Sequence, residues 1–194
     1  MAKCALKNNE FEEAARLLNE ALVYPENLGE GKLFGAQENH IYYYLGTTYL
    51  NLKKEKEALE CFSNASLGLA EPANAMYYND QPPEMIFYQG LAWLKLNNEK
   101  EAKRRFNRLI AYAEKHLFDD VRMDYFAVSL PEFLLFDDDL NKRNAIHCYF
   151  MMGLGLLGLG HPAQARVKFD KVLQMDPNHQ RARIHRKMCE DGIL

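Results

Sequence analysis

The chain has 194 residues, of which 48% are hydrophobic and 26% are charged, the proportions of an ordinary folded protein. Its formal net charge of -3 argues against a general nucleic-acid binder and against a protein that adheres to anionic membranes. No apolar run approaches the roughly 20 residues that span a bilayer, and the four cysteines lack Cys-x-x-Cys spacing. We therefore expect a cytoplasmic protein with reduced thiols, although an export signal could precede this sequence in a longer parent.

The stretch YPENLGEGKLFGAQENH carries three glycines and raises the question of a phosphate-binding loop. A loop of that kind needs Ser or Thr after Gly-Lys, and it follows a strand. Here Gly31-Lys32 is followed by Leu33, and the preceding FEEAARLLNEAL has helical periodicity. The stretch is therefore predicted to connect two helices, with Pro25 and Gly29 ending the first of them.

Internal repetition is the main signal in the sequence. Four segments share a helix end, a polar turn and a second helix with a small residue followed by a large one: ALKNNEFEEAARLLNEAL, YLNLKKEKEALECFSNAS, WLKLNNEKEAKRRFNRLI and LLGLGHPAQARVKFDKVL. The small residues are Ala14, Ala58, Ala102 and Ala165, and four positions later come Leu18, Phe62, Phe106 and Phe169. Two helices cross closely only where side chains are small, and large neighbours then fill the space beside the crossing.

The first helix of each pair repeats as well, because Gly46, Gly90 and Gly153 each precede their alanine by twelve residues. This pattern resembles the tetratricopeptide repeat, whose aromatic, Leu-Gly, Tyr, Ala, Phe and Ala positions recur over 34 residues. The resemblance implies an all-α fold, an antiparallel helix-pair solenoid of the tetratricopeptide type, with helical insertions between the repeats. A single pair leaves an apolar face open, so the pairs must stack.

The predicted organisation is one array over residues 1–194. Its parts are a partial repeat at 1–28, repeats at 39–72, 83–116 and 146–179, a helical insert at 117–145 and a capping helix at 180–194. The insert contains FAVSLPEFLLF, which is too apolar to remain solvated, so we expect short helical pieces packed on the array.

A second resemblance rests on longer stretches, namely YPENLGEGK, DQPPEMIFYQGLA, HLFDDVRMDYFAVSLPEFLLFDDDLNKRN and HCYFMMGLGLLGLG. These are similar to the C-terminal repeat region of a family of large bacterial proteins. Members of that family carry an N-terminal β-rich domain whose similarity to mutarotase-like sandwiches implies a carbohydrate-related role. The resemblance implies that this chain is the C-terminal part of such a protein.

Repeats of this type bind partners along the concave surface of their first helices, which we call the inner groove. At three before, one after and four after each glycine, the predicted groove residues are Tyr43, Thr47, Leu50, Phe87, Leu91, Leu94, Phe150, Leu154 and Leu157. This apolar and aromatic surface is suited to binding a helix. Two alternatives stay open: the chain's own inserts or C-terminal helix fill the groove, or an outside partner does.

Other chemistry has little support in the sequence. No defensible nucleophile, paired carboxylate or metal-ligand spacing is present, so we expect no enzyme activity of its own, no cofactor and no metal. Asp137 to Asp139 lack the glycine and glutamate of a calcium loop and are better placed to cap the next helix. The basic run at Arg181, Arg183, Arg186 and Lys187 lacks the interleaved aromatic residues of an RNA-binding surface.

The sequence thus predicts a non-catalytic protein-interaction and scaffolding module. Its partner would be a protein or peptide, including the upstream domain of its own parent, and not nucleic acid or a membrane. A homodimer through the first repeat is a further option. The alternative is an accessory domain that completes the site of a carbohydrate-active enzyme in the parent chain. A self-filled groove with a polar cleft near Asp80 would favour that alternative, and an empty apolar groove would favour the interaction module.

Overall fold

The computed structural model describes residues 1–24, 27, 37–74, 80–121 and 139–192, and within these ranges the chain is all-α, with nine helices and no strand. The helices are α1 (Ala2–Lys7), α2 (Phe11–Ala21), α3 (Asn39–Asn51), α4 (Glu55–Ser66), α5 (Pro83–Lys95), α6 (Glu99–His116), α7 (Leu140–Gly158), α8 (Pro162–Met175) and α9 (Gln180–Asp191). The predicted fold class, a solenoid of helix pairs, is confirmed.

In three of the pairs the two helices pack at a glycine, as the sequence predicted. A Cβ atom added to Gly46 would lie 2.7 Å from the Phe62 ring, and one added to Gly90 would lie 2.3 Å from the Phe106 ring. Gly153 faces Phe169 in the same way, at 2.5 Å. The alanines Ala14, Ala58, Ala102 and Ala165 are all 0% exposed. The glycine and alanine positions therefore set how closely the helices of a pair approach.

The turns within the pairs also share one conformation. Asn9, Lys53 and Asn97 have φ of 61°, 59° and 58°, and Gly160 has φ of 81°. The last three each lie seven positions after the glycine of their first helix. This left-handed conformation suits Gly and Asn but costs a lysine about 1–2 kcal/mol.

Two helix boundaries bear on the predicted repeats, those of the pair α5 and α6 and the start of α7. The pair α5 and α6 covers the predicted range 83–116. Helix α7 begins at Leu140, inside the range expected for the insert, because the Asp139 carboxylate accepts the Lys142 N–H at 2.9 Å and caps the helix there. The remaining insert at 122–138 and most of the glycine-rich connector lie outside the described residues.

A buried amide fixes the segment after α4 against the next pair. Gln89, which is 0% exposed, donates from Nε2 to the Leu69 carbonyl at 2.8 Å and accepts from Arg105 Nε at 3.2 Å. Gln81 donates to the same carbonyl at 2.9 Å. These bonds satisfy polar groups that burial would otherwise leave unpaired. None of the described helices combines the length and the apolar character needed to cross a membrane.

Candidate functional site

The predicted groove residues lie on α3, α5 and α7, and most of them are buried. The buried residues are Tyr43, Thr47, Phe87, Leu91, Phe150, Leu154 and Leu157. Leu50 and Leu94 are 40% and 38% exposed. The groove is therefore not an open apolar channel in this structure, and only its rim reaches solvent.

The C-terminal helix α9 occupies the inner groove. At its start, Arg181 Nε lies 3.0 Å from Glu84 Oε1 on α5. In its middle, the His185 ring packs against Phe87 on α5 and Phe150 on α7, with ring centroids 5.5 and 5.6 Å away. At its end, Asp191 Oδ2 accepts from Lys7 Nζ on α1 at 2.7 Å. Helix α9 thus packs on its neighbour α8 and also contacts the first helices of three pairs, α1, α5 and α7.

The centre of this contact is His185, which is 3% exposed. Its Nδ1 donates to the Arg181 carbonyl at 2.8 Å, so Nε2 is left as an acceptor. Within the described part of the chain, Nε2 is buried without a hydrogen-bond partner. Burial lowers the pKa of His185 to about 4, because the surroundings disfavour a charged imidazole.

Glu84 gives the groove a buried acid opposite the start of α9. Its side chain is 10% exposed, and Oε2 has no hydrogen-bond partner among the described residues. Burial raises the pKa of Glu84, and the charges of Arg181 and Lys3 oppose this shift. The groove therefore places a carboxylate where a ligand helix presents a basic residue.

Two tyrosines complete the floor of the contact. The hydroxyls of Tyr44 and Tyr88 lie 2.8 Å apart, and both side chains are 2% exposed. Lys3 Nζ lies 4.5 Å from the centroid of the Tyr44 ring. Tyr44 and Tyr88 stand two positions before their glycines, which the offset rule for the groove omitted. Helix α9 is basic at its start and acidic at its end, and this charge pattern could have indicated that it lies in the groove.

A separate polar cleft of about 630 Å³ opens between the start of α7 and the turn before α9. Its lining includes Asn74, Lys142, His147 and His179. His147 Nε2 donates to the Ala73 carbonyl at 2.8 Å, and His179 Nδ1 accepts the Ala182 N–H at 3.0 Å. Burial is the main cause that lowers the pKa of both histidines, which favours their neutral forms.

A second cleft of about 310 Å³ shares Asn74 with the first and is lined by Tyr112 and Asn144, among others. Burial raises the pKa of Tyr112, and the nearby charge of Asp80 adds to the shift. Asp80 lines neither cleft, although its charge acts on Tyr112 at the second one.

The remaining sequence candidates have structural roles. Arg183 donates to the Pro177 carbonyl at 3.0 Å, and Arg186 pairs with Asp170 and Glu190, so the basic run largely stays within the fold. The four cysteines are free thiols. The described residues contain no group of three or more His, Cys, Asp or Glu side chains that could hold a metal.

Among solved structures, this chain is similar to the crystal structure of the C-terminal part of a TPR repeat-containing protein from Cytophaga hutchinsonii. It is 17% identical, the alignment covers 98% of this chain and 70% of that one, and the TM-score is 0.30. Two family models described as tetratricopeptide repeat match residues 40–66 and 84–115. Each match covers one observed pair, α3 with α4 and α5 with α6, in which a glycine packs on a phenylalanine. The chain therefore contains tetratricopeptide repeats.

Proposed function

We propose that this chain is a non-catalytic interaction and scaffolding module whose inner groove binds a helix of a partner protein. Tetratricopeptide repeats indicate a protein-interaction module, and one observation supports this choice of surface. Helix α9 lies in the groove and contacts α1, α5 and α7 along its length. In the described state the chain's own helix therefore takes the place of the partner.

The contacts of α9 suit a helix that can be replaced. The Lys7–Asp191 pair is about 40% exposed on both sides, and pairs of this kind contribute about 0–1 kcal/mol. Two buried acceptors, Glu84 Oε2 and His185 Nε2, have no partner among the described residues, and each unpaired acceptor costs about 1–3 kcal/mol. Glu84 belongs to the groove, whereas the cost at His185 Nε2 belongs to α9 itself and offsets part of its favourable packing. A partner helix without such a buried acceptor would therefore compete with α9.

The partner that we propose is the upstream domain of a larger bacterial parent. The support is the resemblance of four stretches of this chain to the C-terminal repeat region of such proteins. Binding in the cytoplasm fits a sequence without disulfide spacing, and a homodimer through the same groove is the competing arrangement.

Light scattering of the chain, alone and mixed with the upstream domain, tests this proposal. The decisive comparison uses Ala182→Glu, because Ala182 is 0% exposed and a carboxylate there displaces α9. We expect the variant to bind the upstream domain in a one-to-one complex at least tenfold more tightly than the unchanged chain. Lys187→Gln on the exposed side of α9 is the matched control and should leave affinity unchanged.

Two results would contradict the proposal. If Ala182→Glu binds the upstream domain less tightly, α9 itself is part of the docking surface. If the chain is a dimer that ignores the upstream domain, the groove or the first repeat serves self-association.

A second candidate is an accessory domain that completes the site of a carbohydrate-active enzyme in the parent. The filled groove and the polar cleft beside Asn74 are observations that favour it. Asn74 lines both parts of that cleft, and Lys142 lines the larger part. If the cleft contributes to a sugar site, Asn74→Ala and Lys142→Ala in the whole parent should lower kcat/KM for glycoside hydrolysis. Lys171→Ala on the outer face of α8 should not.

A further inference from the structure

The ring of His185 lies in a pocket made of four aromatic side chains, which we call the ring pocket. Its members are Phe87, Tyr88, Phe150 and Phe169, and their centroids lie 5.5, 6.2, 5.6 and 6.2 Å from the imidazole centroid. Rings at these distances favour an aromatic guest. Among the described residues the pocket gives His185 Nε2 no hydrogen-bond partner. The pocket thus matches a hydrocarbon ring better than it matches an imidazole.

Two charged groups, Glu84 and Lys7, favour one direction for the helix that enters the groove. Glu84 pairs with Arg181, four residues before His185, and Lys7 pairs with Asp191, six residues after it. Between them, Ala182 is 0% exposed, so only a small side chain fits three residues before the ring. A helix in the opposite direction would bring its acid to Glu84 and its base to Lys7. Like charges placed together in this way are unfavourable.

We propose that the inner groove is built for a partner helix with a phenylalanine-like ring in the ring pocket, and that α9 is a weaker stand-in for it. The ligand helix has a basic residue four positions before the ring, a small residue three before it and an acidic residue six after it. This inference rests on the proposed function, because it names the chemistry of the helix that the groove takes.

Three synthetic peptides of residues 177–192 test the inference. One has the sequence of the chain, one carries His185→Phe, and one carries both His185→Phe and Arg181→Glu. Each is titrated by fluorescence anisotropy, under reducing conditions, into the full chain and into the Ala182→Glu and Arg181→Glu chains. The two variant chains are needed because a tethered helix competes at an effective concentration in the millimolar range.

We expect the His185→Phe peptide to bind the variant chains at least tenfold more tightly than the unchanged peptide. Adding Arg181→Glu to the peptide should remove at least a factor of ten. Hydrogen exchange of the unchanged chain should show that the His185→Phe peptide removes protection from residues 180–191 and from no other helix. Together these results would show that the peptide binds through its ring and its basic residue, in the site that α9 leaves.

Different failures separate this inference from the proposed function. If the phenylalanine and histidine peptides bind equally and both expose α9, the groove accepts a helix but the ring preference is wrong. If a peptide binds and α9 stays protected, the peptide sits elsewhere and the inference fails. If neither variant chain binds any peptide while circular dichroism shows intact helices, both the inference and the proposed function fail.

Discussion

Lys7 and Asp191 form an ion pair of 2.7 Å although 184 positions separate them in the sequence. The first is the last residue of α1, and the second is the last residue of α9. The first and last helices of the described array are therefore in contact, and α9 lies along the inner groove. Part of the burial of the predicted groove residues comes from their own pairs, because Tyr43, Phe87 and Phe150 pack on Phe62, Phe106 and Phe169.

The contact between the two ends can be captured chemically. A water-soluble carbodiimide joins an amine and a carboxylate in contact, so it should form an amide between Lys7 and Asp191 that mass spectrometry detects. Lys103 and Glu99, at 2.9 Å within α6, give an internal positive control. Lys7→Gln should abolish the first product and keep the second. Since the pair is exposed, we expect this variant to change the free energy of unfolding by less than about 1 kcal/mol. Formation of only the α6 product in the unchanged chain would show that α9 is not docked in solution.

His185→Leu should stabilise the protein at neutral pH. Leucine fills the ring pocket with hydrocarbon and removes the buried, unpaired Nε2, which costs about 1–3 kcal/mol. We expect the free energy of unfolding in urea at pH 7 to rise by about 1 kcal/mol. His179→Leu is a contrasting variant, because His179 Nδ1 caps α9 by accepting the Ala182 N–H. Its loss should lower the free energy of unfolding. A lower stability for His185→Leu at pH 7 would mean that the imidazole makes a net favourable contact.

His185→Leu should also make the free energy of unfolding depend less on pH. The pKa of His185 is about 4 in the folded chain and near 6.5 when unfolded, so the unfolded chain binds the extra proton between these values. Stability from the neutral imidazole is therefore present above pH 6.5 and falls as the pH drops toward 4, by about 2 kcal/mol at pH 5. Burial raises the pKa of Glu84, so this residue makes stability rise as the pH falls. It is present in the unchanged chain and in the variant, so it does not affect their comparison. Urea unfolding at pH 7 and pH 5 should show a smaller loss for His185→Leu than for the unchanged chain, and equal losses would contradict the assignment.

Gly90→Ala tests the crossing of α5 and α6. The new Cβ would lie 2.3 Å from the Phe106 ring, which is 1% exposed and has little room to move. Overpacking of this kind costs about 1–3 kcal/mol, and it opposes the roughly 1 kcal/mol that alanine gains over glycine in a helix. The partner variant Phe106→Leu makes room, so Gly90→Ala should cost at least about 0.5 kcal/mol less in that background. Additive effects in this double-mutant cycle would show that the glycine is not required by the ring.

Some of this structure could be predicted from the residues themselves. The pairing of Gly46 with Phe62 and of Gly90 with Phe106 follows from spacing, because both residues of each contact lie within one helix pair. The prediction of a repeat at 83–116 rests on the same spacing. Contacts within about 20 residues leave a periodic signal that a single sequence shows.

The position of α9 left no periodic signal of this kind in the sequence. Whether α9 reaches Glu84 and Lys7 depends on how the pairs stack, and connectors of unequal length interrupt the 34-residue period between them. Small changes at each stack add up along the array, so its closure is a property of the whole chain. The groove residues were chosen at fixed offsets from the glycines, which omitted Tyr44, Tyr88 and Glu84.

The turns between paired helices give a last and reciprocal test. Lys53 is exposed and has φ of 59°, whereas the equivalent turn before α6 has Asn97 at φ of 58°. A lysine pays about 1–2 kcal/mol for this conformation, and asparagine pays less because its short side chain bonds locally. Lys53→Asn should therefore raise the free energy of unfolding by about 0.5–1 kcal/mol, and Asn97→Lys should lower it by a similar amount. Thermal and urea unfolding of both variants measure the two changes. Because both sites are exposed turns with the same backbone, shifts of the same sign in the two variants would show that the left-handed conformation is not what sets their cost.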